Sequence, residues 1–317
     1  MPERPKLFDV PCPMCGSDGS NTLFYAVDRL GLADGSFRLA ECAECGLAFL
    51  SPRPEESQLG GYYPKTYWGG RQKGLKELLR AFEERAKEAY KLRAVEEAKL
   101  SPCRIIDIGC GRGEFLALLR GKGFEALGLE PGEEAARRGR EEYGIEITHG
   151  TLGSARLPES SFGAATLWHV LEHLPDPLSA LKEIRAALVP GGRLFVAVPD
   201  FGSWQAERFR EGWFGVDAPR HLTHFTRGTL RAMLEKAGFR VGMVIEGGPR
   251  YETAMLVRSL FPDLNREKLD ALEAGAASKY FYKAAQLVLD IGILPAGAVL
   301  SASGRGCTFT AVAEKEC

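Results

Sequence analysis

Two thiol pairs, Cys12-Pro13-Met14-Cys15 and Cys42-Ala43-Glu44-Cys45, hold four of the eight cysteines in this chain of 317 residues. Each Cys-x-x-Cys turn can present two thiolates, and two such turns complete a tetrahedral S4 site for Zn2+. Gly16 and Gly46 follow the second cysteine of each pair, where glycine accepts the left-handed backbone that ends a knuckle. Cys12, Cys15, Cys42 and Cys45 are therefore expected to bind a structural zinc ion in a zinc ribbon, with no coordination position left open for chemistry. A second constellation is Asp107-Ile108-Gly109-Cys110-Gly111-Arg112-Gly113-Glu114. Its glycines allow a tight turn and close approach of a ligand to backbone at the start of a helix. A dinucleotide fingerprint needs Gly-x-Gly-x-x-Gly, and here the sixth position is Glu114, a carboxylate where a pyrophosphate would sit. Glu130 lies about 20 residues further on, placed for ribose hydroxyls. An adenosine held through its sugar, without a pyrophosphate, fits both facts.

The elements that must position these residues follow from periodicity. Apolar runs at Arg104–Ile108, Ala126–Leu129, Ala164–Leu167 and Arg193–Val198 read as strands, and the segments Glu114–Lys122, Gly132–Tyr143 and Pro177–Leu188 between them read as helices. This alternation implies an α/β fold, a doubly wound, Rossmann-like parallel sheet with ligands at the carboxyl ends of its strands. Asp176-Pro177 reads as an N-cap and first helical residue, so His169 to Leu174 must span the end of the fourth strand and the loop above it. Upstream, Pro52 to Gly70 reads as a connecting loop, and Lys73 to Leu100 carries apolar residues at helical spacing. Downstream, a helix over Thr226–Ala237 leads to a sixth strand at Phe239–Ile245, and Cys307–Ala313 reads as the seventh. The roughly sixty residues between those two strands are too many for a structureless loop, so a helical insertion is expected over 247–305.

Several segments resemble class I S-adenosylmethionine-dependent methyltransferases, in the branch related to ubiquinone-pathway enzymes. Ile105 to Gly113 looks like the first motif of that family, and Gly128-Leu129-Glu130-Pro131 like the second. Leu157–Phe162 and Trp168–Pro177 are similar to the segment around the fourth strand, and Val189–Leu194 to the turn into the fifth. One departure is Gly163, where an acidic residue usually follows the phenylalanine. The resemblance implies that S-adenosyl-L-methionine is the cofactor, with Asp107, Gly109 and Gly111 near its methionine part. It also implies that Glu130 holds the ribose, that Thr151 and Leu152 flank the adenine, and that His169 forms a wall on the cofactor side. The domains then divide as a zinc ribbon over 1–58, a linker and amphipathic helix over 59–100, and a methyltransferase domain over 101–317.

Methyl transfer from a sulfonium is an in-line displacement, so the acceptor must be aligned and a hydroxyl or amine must lose a proton. Histidine suits that task because its pKa lies near neutrality. Four of the five histidines fall in Trp168–Asp176 or in Pro219–Thr226, and His173, His221 and His224 are the catalytic candidates. Carboxylate and imidazole spacing at Glu172, His173 and the second histidine group also permits a divalent metal, similar to that of small-RNA 2'-O-methyltransferases. The acceptor is expected to be a small molecule; the alternatives are an RNA methyltransferase that uses the zinc ribbon for substrate recognition and a non-catalytic cofactor-binding scaffold. With Lys plus Arg at 41 and Asp plus Glu at 42, the net charge of -1 argues against a nucleic-acid partner. Met1 to Val10 lacks a signal-peptide core and the thiols are clustered, so a cytoplasmic setting is expected. No segment is long and apolar enough to be a transmembrane span. The apolar stretch 280–300 leaves a cover over the acceptor site, a dimer contact or a peripheral membrane contact open, beside plain core packing.

Overall fold

The computed structural model describes residues 6–63, 88–262 and 276–316. Most of the expected Lys73–Leu100 helix therefore lies outside the described residues, and 88–97 are helical. That helix buries Tyr90, Ala94 and Val95 against Ile105, Phe115, Trp168 and Phe195.

The first strands belong to the ribbon: β1 (Leu7–Phe8), β2 (Ser20–Val27), β3 (Ser36–Cys42), β4 (Ala48–Leu50) and β5 (Arg53–Pro54). Within the expected connecting loop, β5 pairs with β1 and a short helix spans Glu56–Leu59. Next come β6 (Arg104–Ile108), β7 (Glu125–Glu130), β8 (Glu146–His149), β9 (Phe162–Trp168) and β10 (Leu188–Pro199). The last three are β11 (Thr223–His224), β12 (Phe239–Glu246) and β13 (Thr308–Lys315). Seven of these form one sheet in the order β12-β13-β10-β9-β6-β7-β8, in which β13 alone is antiparallel to its neighbours. Ile105, Ala164, Ala165, Leu167 and Leu194 to Val198 are almost fully buried in its middle. Strands covered on both faces need such continuous apolar runs, and each fully buried large side chain stabilises the fold by about 1.5–3 kcal/mol.

Helix starts follow local chemistry. Asp176 accepts the Ser179 N–H at 2.9 Å with Pro177 at the first turn, and Thr226 forms a capping box with Thr229. Gly163 lies in β9 against Cys103, where a Cβ would come within 2.8 Å of the cysteine Cβ. Close packing thus accounts for the one departure from the family motif, and the strand is intact. Between β12 and β13 the insertion is helical, with Pro249–Leu260 and Ala276–Ala302. Val288, Ile291, Leu294 and Val299 on the second of these helices are exposed. No helix among the described residues is long and apolar enough to cross a membrane.

The ribbon is joined to the main domain by backbone pairing. A second sheet runs β11-β4-β3-β2, with Phe49 opposite Thr223 and Ala48 opposite His224. The Leu50 N–H also donates to the Leu222 carbonyl at 2.9 Å. Cys12, Cys42, Leu47 and Phe49 share a core with Leu171 and Phe225.

Candidate active site

The chain leaves β6 toward β7 and β8 on one side and returns to β9 and β10 on the other. The sheet's topological switch point is therefore the β6–β9 junction, where open α/β sheets bind ligands. On the β6 side, Gly109, Gly111 and Gly113 all adopt positive φ, at 71°, 58° and 79°. A Cβ at Gly109 would lie 2.6 Å from Val170 Cγ2, so only glycine lets the two strand ends approach this closely. A Cβ at Gly111 would meet nothing within 4 Å, which leaves open space above the loop.

Glu130 at the end of β7 clasps that loop. Its Oε2 accepts the Gly111 N–H at 2.8 Å and its Oε1 accepts the Gly132 N–H at 2.7 Å. Burial raises its pKa while the two N–H groups oppose that shift. Each oxygen keeps a further lone pair for a diol. Asp107 is buried and accepts the Thr166 hydroxyl at 2.6 Å; burial pushes its pKa up to about 7 despite the nearby Lys91 ammonium. Lys91 pairs with Glu88 at 3.0 Å. Thr151 is the exposed N-cap of a short helix, and Leu152 is buried in the main core.

On the β9 side stand the histidines. His169 holds φ at 57°, in the left-handed region that few residues other than glycine adopt. Its ring stacks on Tyr251 at 5.3 Å, and its Nδ1 faces Glu172 Oε1 at 3.3 Å. His173 ends the one-turn segment Leu171–His173, and its Nδ1 lies 3.0 Å from both the Arg220 carbonyl and the Tyr63 hydroxyl. The His221 ring is edge-on to it, with centroids 4.6 Å apart, and the His221 Nδ1 faces the Gly215 carbonyl at 2.8 Å. His224 is 6.2 Å from His221, ring to ring. Burial and the neighbouring His221 lower His173 to about 4 and His224 to about 3, so both are neutral at pH 7. Burial would raise Glu172, but its bond to His169 and the surrounding imidazoles bring it down to about 2. The structure thus gathers His169, His173, His221 and His224 around Glu172, two residues beyond the Val170 that stands against Gly109.

Residues that the sequence did not single out hold this cluster together. Arg220 is buried; its guanidinium reaches Asp28 at 2.9 Å, Asp217 at 2.6 Å and the Tyr62 carbonyl at 3.2 Å. It locks a ribbon loop to the turn bearing His221. Arg220 sits beside the predicted His221, but neither acid that it binds had any signal of its own.

In the ribbon, Cys12 Sγ and Cys45 Sγ are 3.5 Å apart, and Cys15 Sγ and Cys42 Sγ are 3.4 Å apart. All four sulfurs lie within 4.8 Å of one another. A Zn–S bond of 2.3 Å gives a tetrahedron with edges of about 3.8 Å, so the donor set fits zinc. Gly16 and Gly46 take positive φ after each pair, as their positions require.

Sheet order and a glycine loop clasped by the acid at the end of the next strand together define a class I S-adenosylmethionine-dependent methyltransferase. The profile of a methyltransferase-domain family matches residues 67–242, more than half of the chain, and the chain belongs to that family. Among curated proteins it resembles the ubiquinone biosynthesis O-methyltransferase of Aeromonas salmonicida, 33% identical over 30% of this chain and 42% of the relative. A Mycolicibacterium smegmatis protein named as an S-adenosylmethionine-dependent methyltransferase is 29% identical over 43% of this chain and 52% of its own length. The chain thus spans about half the length of the curated relatives it matches. Two solved structures share the fold. One, assigned as a sarcosine dimethylglycine methyltransferase from Galdieria sulphuraria, has a TM-score of 0.50 at 16% identity, covering 75% of this chain and 88% of its own. The other is a chain of a Haloferax volcanii complex between the Trm112 methyltransferase activator and a methyltransferase. It has a TM-score of 0.51 at 17% identity, covering 75% and 93%.

Proposed function

We propose that the protein moves a methyl group from S-adenosyl-L-methionine to a small-molecule acceptor, with a structural zinc ion in the ribbon. The observation that carries this reading lies at the switch point: Glu130 clasps the glycine loop, and Gly109 of that loop stands against Val170, between His169 and the Glu172–His173 pair. Glu130 offers its spare lone pairs to the ribose diol, while Asp107 and the Lys91–Glu88 pair face the amino-acid end. When bound, the cofactor supplies a methyl group on a sulfonium, which leaves with the carbon–sulfur electrons retained by sulfur. His173, His221 and His224 form the acceptor side, where the acceptor's proton must be lost. His173 and His224, neutral at pH 7, present lone pairs there, not charge. The curated relatives named for ubiquinone O-methylation support a hydroxylated small molecule, and the balanced net charge weighs against RNA. Four ribbon thiolates persist best in a reducing compartment, which supports the cytoplasm as the setting.

The boundaries 1–58, 59–100 and 101–317 belong to the same proposal, with the ribbon fixing the acceptor side through the β4–β11 pairing. Incubating the full chain with the cofactor and a panel of phenols, enols and amines, and measuring S-adenosylhomocysteine release, tests the activity. The expected result is release with hydroxyl acceptors. Release with structured RNA alone would overturn the small-molecule reading.

A further inference from the structure

Glu172, His173 and His221 each bring a ligand atom within 4.8 Å of the other two. The orientation of the two rings is set from behind. His173 Nδ1 faces the Arg220 carbonyl at 3.0 Å and His221 Nδ1 faces the Gly215 carbonyl at 2.8 Å. A carbonyl can only accept, so both Nδ1 atoms carry a proton, which leaves Nε2 as the nitrogen of each ring that can ligate. Glu172, with 1% of its surface exposed, has an Oε2 to which no described group donates. The Nε2 of His224, which is 4% exposed, likewise has no described partner. His221 Nε2 also stands 3.9 Å from Asp217 Oδ2, another acceptor. The middle of the cluster is thus lined by acceptors, a carboxylate oxygen among them.

We infer that Glu172, His173 and His221 form a second metal site, for a first-row divalent cation such as Zn2+, Fe2+, Mn2+ or Co2+. A cation can bind the three converging acceptors of Glu172, His173 and His221 at once. Ring N–H groups bonded to backbone carbonyls are the outer shell that fixes a metal-ligating histidine. Two imidazoles and one carboxylate leave coordination positions open, as a site that binds substrate requires. The inference deepens the proposed methyl transfer, because an open position on the acceptor side suits a hydroxyl bound through its oxygen. The thiolate ribbon is a separate, closed site.

Cobalt titration separates the two sites. Chelator-stripped, reduced full-length protein is titrated with Co2+ and followed by absorbance, with cofactor uptake measured by calorimetry on the same samples. Two equivalents are expected: one with thiolate-to-cobalt charge-transfer bands, one with weak d–d bands alone. His221→Asn and Glu172→Gln should each weaken the second equivalent by more than about tenfold while the first equivalent and cofactor uptake persist. Saturation of the wild type by the thiolate equivalent alone would overturn the inference, as would a second equivalent unchanged in both variants. Direct proton removal by an imidazole would then take its place. Failure of cofactor uptake beside an intact second equivalent would instead strike the methyltransferase reading.

Discussion

Arg220→Met tests how the histidine cluster is held. In the folded protein Arg220 is 2% exposed and bridges Asp28 and Asp217. Removing one partner of a buried ion pair costs about 3–5 kcal/mol, because the other charge is left uncompensated. The two acids differ in what remains to them. Asp28 still accepts the N–H groups of Leu30, Leu32 and Ala33 at 2.7 to 2.9 Å. For Asp217, burial would raise the pKa, and it is chiefly Arg220 that holds it well below the usual carboxylate range. The loss therefore falls mainly on Asp217, and about 3 kcal/mol lowers Tm by roughly 6–12 °C in a domain of this size. The sign with pH follows. In the wild type the depressed pKa contributes stability that is present above the unfolded value near 3.9 and is lost as pH falls. In the variant, burial without the cation raises that pKa, so acidification relieves the buried charge. The Tm gap between wild type and Arg220→Met should thus be widest at pH 7 and shrink toward pH 4.5, and Asp217→Asn should restore part of it at pH 7. Scanning calorimetry across pH reads this directly. A gap that stays constant with pH, or a Tm unchanged by the substitution, would refute the reasoning.

Glu130→Gln removes the charge from both N–H bonds and from the ribose side, a loss of about 1.5–3 kcal/mol per charged bond. Cofactor binding should weaken roughly 10- to 150-fold by calorimetry, and a change under twofold would mean that Glu130 only organises the loop. Cys45→Ser should loosen the knuckle that leads into β4, and with it the β11 strand carrying His224. A 1 Å misplacement of acceptor-side groups costs roughly a hundredfold in turnover, so kcat should fall far more than cofactor affinity; equal losses in both would contradict this coupling. His173 and His224, lowered to about 4 and about 3, bind fewer protons folded than unfolded below pH 6.5. Their contribution to stability is complete above that pH and lost as pH falls toward 4, so His173→Gln should flatten the decline of Tm over that range.

The elements and the chemistry written in short stretches of chain were legible. The Cys-x-x-Cys turns, the glycine loop, the Asp176 cap and the alternation of strands and helices depend on neighbours within a few residues, and Glu130 is found by its fixed spacing from the loop. The contacts that build the acceptor side do not. Asp28 and Arg220 are 192 positions apart, and neither the pairing of β4 with β11 nor the stacking of Tyr251 on His169 leaves a periodic trace. The tautomers of His173 and His221 are set by backbone carbonyls, which carry no side-chain signature at all. The left-handed backbone of His169 is equally silent, because the residue is not a glycine. Such features come from tertiary packing, and they decide which lone pairs face the acceptor.

The central claim is that the switch-point cleft binds S-adenosylmethionine through the clasped glycine loop. Calorimetry of the folded full-length chain with S-adenosylmethionine and with S-adenosylhomocysteine is its most direct measurement. One molecule of each should bind per chain, in competition with the other. Absence of uptake of either compound, in protein that unfolds cooperatively, would contradict it.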